Sequence, residues 1–172
     1  MPYDVETIKI EPAAFEDLPV ISRLAGMIWP DAYRRILSEG QIEYMLTMMY
    51  DLPVLEDEYR NSTRFDIIFD GEMPIGFASY GHCDDHACDC VKLHKLYLDS
   101  NYHNRGIGTL ALRHVIEEVR RKGYKVLHLN VNRNNTAAIR AYERNGFYKA
   151  RETVTDIGSG YVMDDYVMEL EL

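Results

Sequence analysis

The chain has 172 residues, 47% hydrophobic and 27% charged, an ordinary globular composition and enough for one domain, 1–172, whose core needs neither metal nor disulfide. A formal net charge of −9 leaves no basic footprint to neutralise phosphates, which argues against nucleic acid as a partner and suits cationic ligands such as amines. No basic-then-apolar leader opens the sequence and no run reaches the ~18 apolar residues of a membrane span. A cytoplasmic chain with reduced cysteines and no membrane partner is therefore expected.

In chain order, "TIKIEPA" alternates apolar and polar residues and predicts a first strand ending at Pro12. "AFEDLPVISRLAGMIW" predicts a helix capped by Asp17, with Leu18, Ile21, Leu24, Ala25 and Ile28 on one face. "SEGQIEYMLTMMY" predicts a second helix with Ile42, Met45, Leu46 and Met49 aligned, a stripe that reads as adaptable core or as a cleft wall. "RFDIIFDGEMPIGFASYGH" is a hairpin turning at Asp70–Pro74, and "CVKLHKLYLDS" is the next strand. A long helix follows, with a Glu117–Arg121 pair and Gly123 at its close. Then come the strand "KVLHLNVN", the short helix in "RNNTAAIRAYERNGF", and two strands around "DIGSG". The order β-α-α-β-β-β-α-β-α-β-β implies a mixed sheet flanked by helices.

The stretch "GHCDDHACDC" holds all three cysteines and two of the six histidines. Its Cys-x4-Cys-x-Cys spacing lacks the Cys-x2-Cys knuckle of structural zinc sites, so a surface connection without a functional metal is expected. Adventitious zinc on the thiols with His82 or His86, or oxidation of Cys83 onto Cys88, are the alternatives. His114 and His128 read as structural or exposed.

Two other segments carry chemistry. In "HNRGIGT", His103–Thr109, two glycines precede a helix, so backbone N–H groups can converge on an anion and the helix dipole favours it. There is no Gly-Lys-Ser/Thr and no GxGxxG, which excludes a nucleoside-triphosphate P-loop and a dinucleotide fingerprint. In "NTAAIRAYERNGF", Asn135 and Tyr142 lie about two turns apart on nearly the same helix face, with the small Ala138 between them.

Together these segments resemble the Gcn5-related N-acetyltransferases (GNAT) over nearly the whole chain. The resemblance implies an α/β (α+β) fold with a mixed, mostly antiparallel seven-stranded sheet flanked by about four helices. It implies acetyl-CoA as co-substrate, no metal, a small-molecule amine acceptor and a homodimer. The pyrophosphate loop would comprise His103, Asn104, Arg105, Gly106, Ile107, Gly108 and Thr109. His103 stands where the family carries Gln or Arg, which should weaken coenzyme binding without abolishing it. The backbone of Leu96, Tyr97 and Leu98 would pair with the pantetheine arm, and Asn135 would hydrogen-bond it. Tyr142 would be the general acid for the departing thiolate.

His94, two residues before Leu96 and thus expected on the same strand face, resembles a histidine of the arylalkylamine acetyltransferases that helps deprotonate the amine. A strand histidine bonded within the sheet is the other reading. "IWPDAYRRILSEGQIEYMLTMMY", "VKLHKLYL" and "DIGSGYVMDDYVMELEL" resemble the PaiA-like branch, associated with polyamine acetylation. Trp29, Tyr33, Tyr44 and Tyr50 are candidate acceptor walls, or ordinary core aromatics. Asp164 and Asp165 either meet a cationic amine or form a solvated pair. The expected activity is acetyl transfer to a primary amine such as spermidine or spermine. A non-catalytic acyl-CoA sensor and a peptide or protein N-acetyltransferase are the alternatives.

Overall fold

The computed structural model describes residues 5–83 and 89–172. Strand β1 (Ile8–Pro12) leads through a 3-10 turn into helix α1 (Leu18–Tyr33), followed by α2 (Glu39–Tyr50) and α3 (Leu52–Arg60). Strands β2 (Arg64–Asp70), β3 (Met73–Gly81) and β4 (Cys90–Leu98) precede α4 (Ile107–Arg121). Then come β5 (Val126–Asn132), α5 (Thr136–Arg144), β6 (Tyr148–Gly158) and β7 (Tyr161–Glu171). The seven strands form one sheet in the order β1-β2-β3-β4-β5-β7-β6, antiparallel except where β4 runs parallel to β5. This is the mixed seven-stranded sheet expected, with five α-helices among the described residues instead of four. The extra one is α3: "LPVLEDEYR" buries only Leu55 fully, too thin an apolar stripe to announce a helix.

Helices α1 to α3 cover one face of the sheet, where Leu18, Ile21, Leu24, Ile28 and Trp29 pack on Phe65, Ile67 and Phe77. On the other face, Val115 and Val119 of α4 and Ile139 of α5 pack on Val91, Leu93, Leu127 and Leu129. Such two-sided burial gives β3 an unbroken buried run from Ile75 to Tyr80. Helix α2 starts at Ser38, whose hydroxyl accepts from Gln41 N at 3.1 Å. Asp17 does precede α1, but its carboxylate accepts from Ala14 N at 2.9 Å instead of from the helix. On α4 the expected Glu117–Arg121 pair is replaced by Glu117–Arg120, at 2.8 Å, and Glu118–Arg121. Both are one turn apart at i,i+3, the other spacing that places side chains side by side. None of the described helices is long and apolar enough to cross a membrane.

Two irregularities create the site. Strands β4 and β5 pair only from Cys90–Val126 to Leu93–Leu129, although β4 continues to Leu98 and β5 to Asn132. Beyond that point they separate, leaving an open cleft in the sheet. The register of β3 with β4 also slips there: Tyr80 faces Leu93, but Ser79 faces Lys95, so His94 is the extra residue of a bulge. Leu93 accordingly packs toward α4, while Lys95, two residues on, packs toward Glu58 of α3.

Candidate active site

At the mouth of the cleft lies a cavity of about 170 Å³, bounded by α1, α2, α3, β4, β5 and β7. Its apolar wall is an aromatic cluster. Trp29 lies 4.5 Å from Tyr33 and 5.5 Å from Tyr97, ring centre to ring centre, and Trp29 Nε1 donates to Tyr50 Oη at 3.1 Å. The hydroxyls of Tyr33 and Tyr97 share a 2.8 Å hydrogen bond. Met45 and Met49 of the α2 stripe also line it, so that stripe serves both core and cavity. Tyr50 is fully buried behind Trp29 and does not line the wall.

The polar wall carries Glu58, Lys92, His94, Lys95, Asn130 and Asp165. Lys95 is 3% exposed and its Nζ donates to both Glu58 carboxylate oxygens, at 2.9 and 2.7 Å. Burial lowers its pKa while Glu58 opposes the shift, so this ion pair is largely self-contained. Asp165 is different. It is 5% exposed, and burial, reinforced by neighbouring Asp164, pushes its carboxyl up to about 6 against the weaker pull of Lys92 and a hydrogen bond with Asn130. Asp164 points the other way, its carboxylate 3.0 Å from Arg133 Nε. The adjacent aspartates thus divide between the surface and the cavity, as β-strand alternation requires.

Tyr142 of α5 packs against Phe147 with ring centres 5.6 Å apart, and its phenol lies close enough to those of Tyr33 and Tyr97 to interact with both. Burial pushes its pKa up, which keeps the phenol protonated at neutral pH. Asn135 is the N-cap of α5: its Oδ1 accepts from Ala138 N at 3.2 Å, so its Nδ2 is the atom with which it would reach a ligand arm.

Gly106 caps α4 with φ +79°, a left-handed conformation that favours glycine. A Cβ added at Gly106 or Gly108 would meet nothing within 4 Å, so the helix entrance is open on the side where an anion would approach. The first helical N–H groups there have no intrahelical acceptor. Asn104 also has positive φ, and Arg105 lies 5.3 Å over the Tyr102 ring. The departing residue, His103, turns back to donate from Nε2 to Leu98 O at 2.9 Å.

The helix entrance at Gly106 thus follows the end of β4, and the cleft beside β4 opens on a cavity lined by Tyr33, Tyr97 and the buried carboxylate of Asp165. The model of the Acetyltransferase (GNAT) family matches residues 27–147, well over half of the chain. The chain belongs to the GNAT family.

Among GNAT relatives, a spermidine N(1)-acetyltransferase of Thermoplasma acidophilum is 29% identical over 163 residues, covering 92% of this chain and 96% of the relative. The solved PaiA N-acetyltransferase of T. acidophilum, in complex with coenzyme A, superposes with a TM-score of 0.79 at 26% identity, covering 96% of this chain and 99% of that one. The ribosomal-protein-S18-alanine N-acetyltransferase of Escherichia coli shares the fold, with a TM-score of 0.72 at 19% identity over 95% of this chain and 93% of that one.

Several GNAT site expectations need correction. Tyr44 is not a wall: its hydroxyl donates to Ile157 O at 2.5 Å and its ring stacks on Tyr161 at 5.3 Å, fastening α2 to the β6–β7 hairpin. It points there because it lies on α2 one residue before Met45, the position that faces the cavity. His94 lines the cavity, but not through the alternation expected with Leu96, which packs toward α4; the bulge breaks that alternation. The cysteines are not all reduced: Cys83 and Cys90 form a disulfide with Cα atoms 6.0 Å apart. The alternative pairing of Cys83 with Cys88 and the site at His86 fall on residues 84–88, outside the described residues. Asp165, Glu58 and Lys92 were missed as a cavity set, because no local spacing links residues from α3, β4 and β7.

Proposed function

We propose that this protein transfers the acetyl group of acetyl-CoA directly to a primary amine, with an aliphatic polyamine such as spermidine or spermine as acceptor. The observation that carries the acceptor is Asp165, a buried carboxylate facing a narrow cavity walled by Trp29, Tyr33 and Tyr97. A substrate ammonium there would gain both a charge-assisted contact and aromatic faces. A cavity of about 170 Å³ is below the usual volume of small-molecule sites, which suits a slender aliphatic chain better than a peptide terminus. The 29% identity with a spermidine acetyltransferase across nearly both chains supports the same reading.

The co-substrate supplies the activated acetyl thioester. The N–H groups at Gly106–Thr109 would take its pyrophosphate, and the edge of β4 at Leu96–Leu98 that β5 leaves open, beside the Leu98 carbonyl held by His103, would accept its extended arm as a strand does, with Asn135 Nδ2 donating. Amine and thioester then meet where β4 and β5 part, which makes the attack effectively intramolecular. Asp165, its carboxyl pushed up to about 6, or His94 takes the ammonium proton. A main-chain N–H near Leu96 polarises the carbonyl, and Tyr142, held protonated, gives its proton to the thiolate. The partner expectation of a homodimer rests on edge strand β6 and its hairpin, where Val154 and Val162 are 64% and 47% exposed. A monomer mass by light scattering would remove it.

The acceptor is tested by comparing kcat/KM for spermidine, spermine, arylalkylamines, amino acids and N-terminal peptides. A polyamine preference of at least roughly tenfold is expected, about the 1.4 kcal/mol of one extra charge-assisted contact. A peptide preference would overturn the acceptor while leaving the transfer chemistry in place.

A further inference from the structure

The end of β3 and the start of β4 and β5 hold a second cluster. Cys83 is buried, Cys90 is half-buried at the first residue of β4, and His128 is buried in β5. Cys90 pairs with Val126 and Lys92 with His128, so Cys90 and His128 occupy the same face of the sheet, opposite Val91, Leu93, Leu127 and Leu129. Cys83 lies over both. Its Sγ is 3.7 Å from Nδ1 and 3.6 Å from Nε2 of His128, and the ligand atoms of all three residues lie within 4.8 Å of one another.

We propose that Cys83, Cys90 and His128 form a redox-gated zinc site, binding one Zn²⁺ in the dithiol state and closing to the observed disulfide when oxidised. A tetrahedral ion with Zn–S near 2.3 Å and Zn–N near 2.0 Å holds a sulfur and a nitrogen ligand about 3.5 Å apart, and Cys83 Sγ already stands 3.7 and 3.6 Å from the two His128 ring nitrogens, one of which would bind. The sulfur–sulfur edge must open, as reduction of the disulfide allows. The balance is simple. A dithiol reductant gives two electrons and two protons to the Cys83–Cys90 bond by thiol–disulfide exchange, leaving two thiols here and a disulfide on the reductant. Zinc then displaces the two thiol protons and takes two thiolates and the neutral imidazole. A water molecule would complete the fourth position. The set is two thiolates and one imidazole, which selects zinc or cobalt over magnesium or calcium.

This site does not depend on the acceptor proposed above. It does lie on the same face and borders the cavity: Lys92 pairs with His128, and Asn130 follows His128 by two residues, about 7 Å, along β5.

The test is anaerobic reduction of the full chain, removal of the reductant and titration with Co²⁺. One cobalt per chain is expected, with a thiolate-to-cobalt charge-transfer band of two-sulfur intensity and tetrahedral visible bands. Zn²⁺ should displace it, and reoxidation with a disulfide oxidant should abolish it. Cys90→Ser should lose at least half the charge-transfer band, and His128→Gln should weaken cobalt at least tenfold. Cys88→Ser should leave both unchanged. Acetyl-CoA binding by each variant reports that the sheet is intact. Absence of the charge-transfer band, its survival in both C90S and H128Q, or its loss only in C88S would overturn the site.

Discussion

Replacing Asp165 with Asn should make the protein more stable and a worse catalyst. The carboxyl titrates near 6 in the folded chain against 3.8 in the unfolded one, because burial disfavours the ion more than Lys92 and Asn130 support it. A raised folded pKa means the folded state holds the proton more tightly between about pH 4 and 6, so this group's contribution to stability falls as pH rises through that window and stays low above it. The full shift is about 3 kcal/mol at 1.36 kcal/mol per unit; solvent reaching the carboxylate through the cavity mouth screens this to about 1–2 kcal/mol. D165N, neutral at every pH and able to accept from Asn130, should recover that amount at pH 7.5 and keep only about a third of the advantage at pH 4.5. Urea unfolding followed by the fluorescence of Trp29, the only tryptophan, measures both. The same variant should lose about 10–100-fold in kcat/KM for the amine, the value of a charged hydrogen bond. A D165N protein less stable than the parent at pH 7.5 would show that Lys92 holds Asp165 as a settled ion pair, and the reasoning would fail.

Tyr142→Phe should lower kcat by about a hundredfold or more, with little change in acetyl-CoA affinity; an unchanged kcat would remove Tyr142 from the acid role. Gly108→Leu meets no protein atom within 4 Å, so the thermal midpoint should hold while calorimetric acetyl-CoA affinity falls at least tenfold; retained affinity would displace the pyrophosphate from this loop. Tyr44→Phe removes the hydrogen bond to Ile157 O and should cost about 1 kcal/mol of stability with the amine KM unchanged; a raised KM would return Tyr44 to the cavity wall.

Local patterns were legible wherever one short segment decides the backbone. Gly106 and Gly108 announce an open helix entrance, because glycine takes the φ of +79° at Gly106 at little cost and neither position carries a side chain to block the helix end. The succession of strands and helices along the chain, α3 apart, was readable from their periods, and the mixed seven-stranded sheet followed from the family resemblance. What stayed hidden was long-range. Whether Asp164 or Asp165 faces inward depends on the register of β7 against β5, which pairs Asp165 with Asn132 at the open end of the cleft. The bulge at His94 comes from a slip against β3 that no alternation in β4 reveals. Cys83 and Cys90 lacked a recognisable metal spacing because their third neighbour, His128, arrives from a different strand. Helix α3 was missed because its polar, acidic surface outweighs its single fully buried leucine.

The central claim is that the cleft between β4 and β5 joins an amine to an acetyl thioester. Its most direct test is the release of free thiol from acetyl-CoA on adding spermidine or spermine to the purified protein, with the acetylated amine identified by mass. Thiol and acetylpolyamine appearing in equal amounts, and only when amine is present, is the result expected. Tight acetyl-CoA binding with no thiol released by any amine or peptide would contradict it and identify the protein as an acyl-CoA sensor.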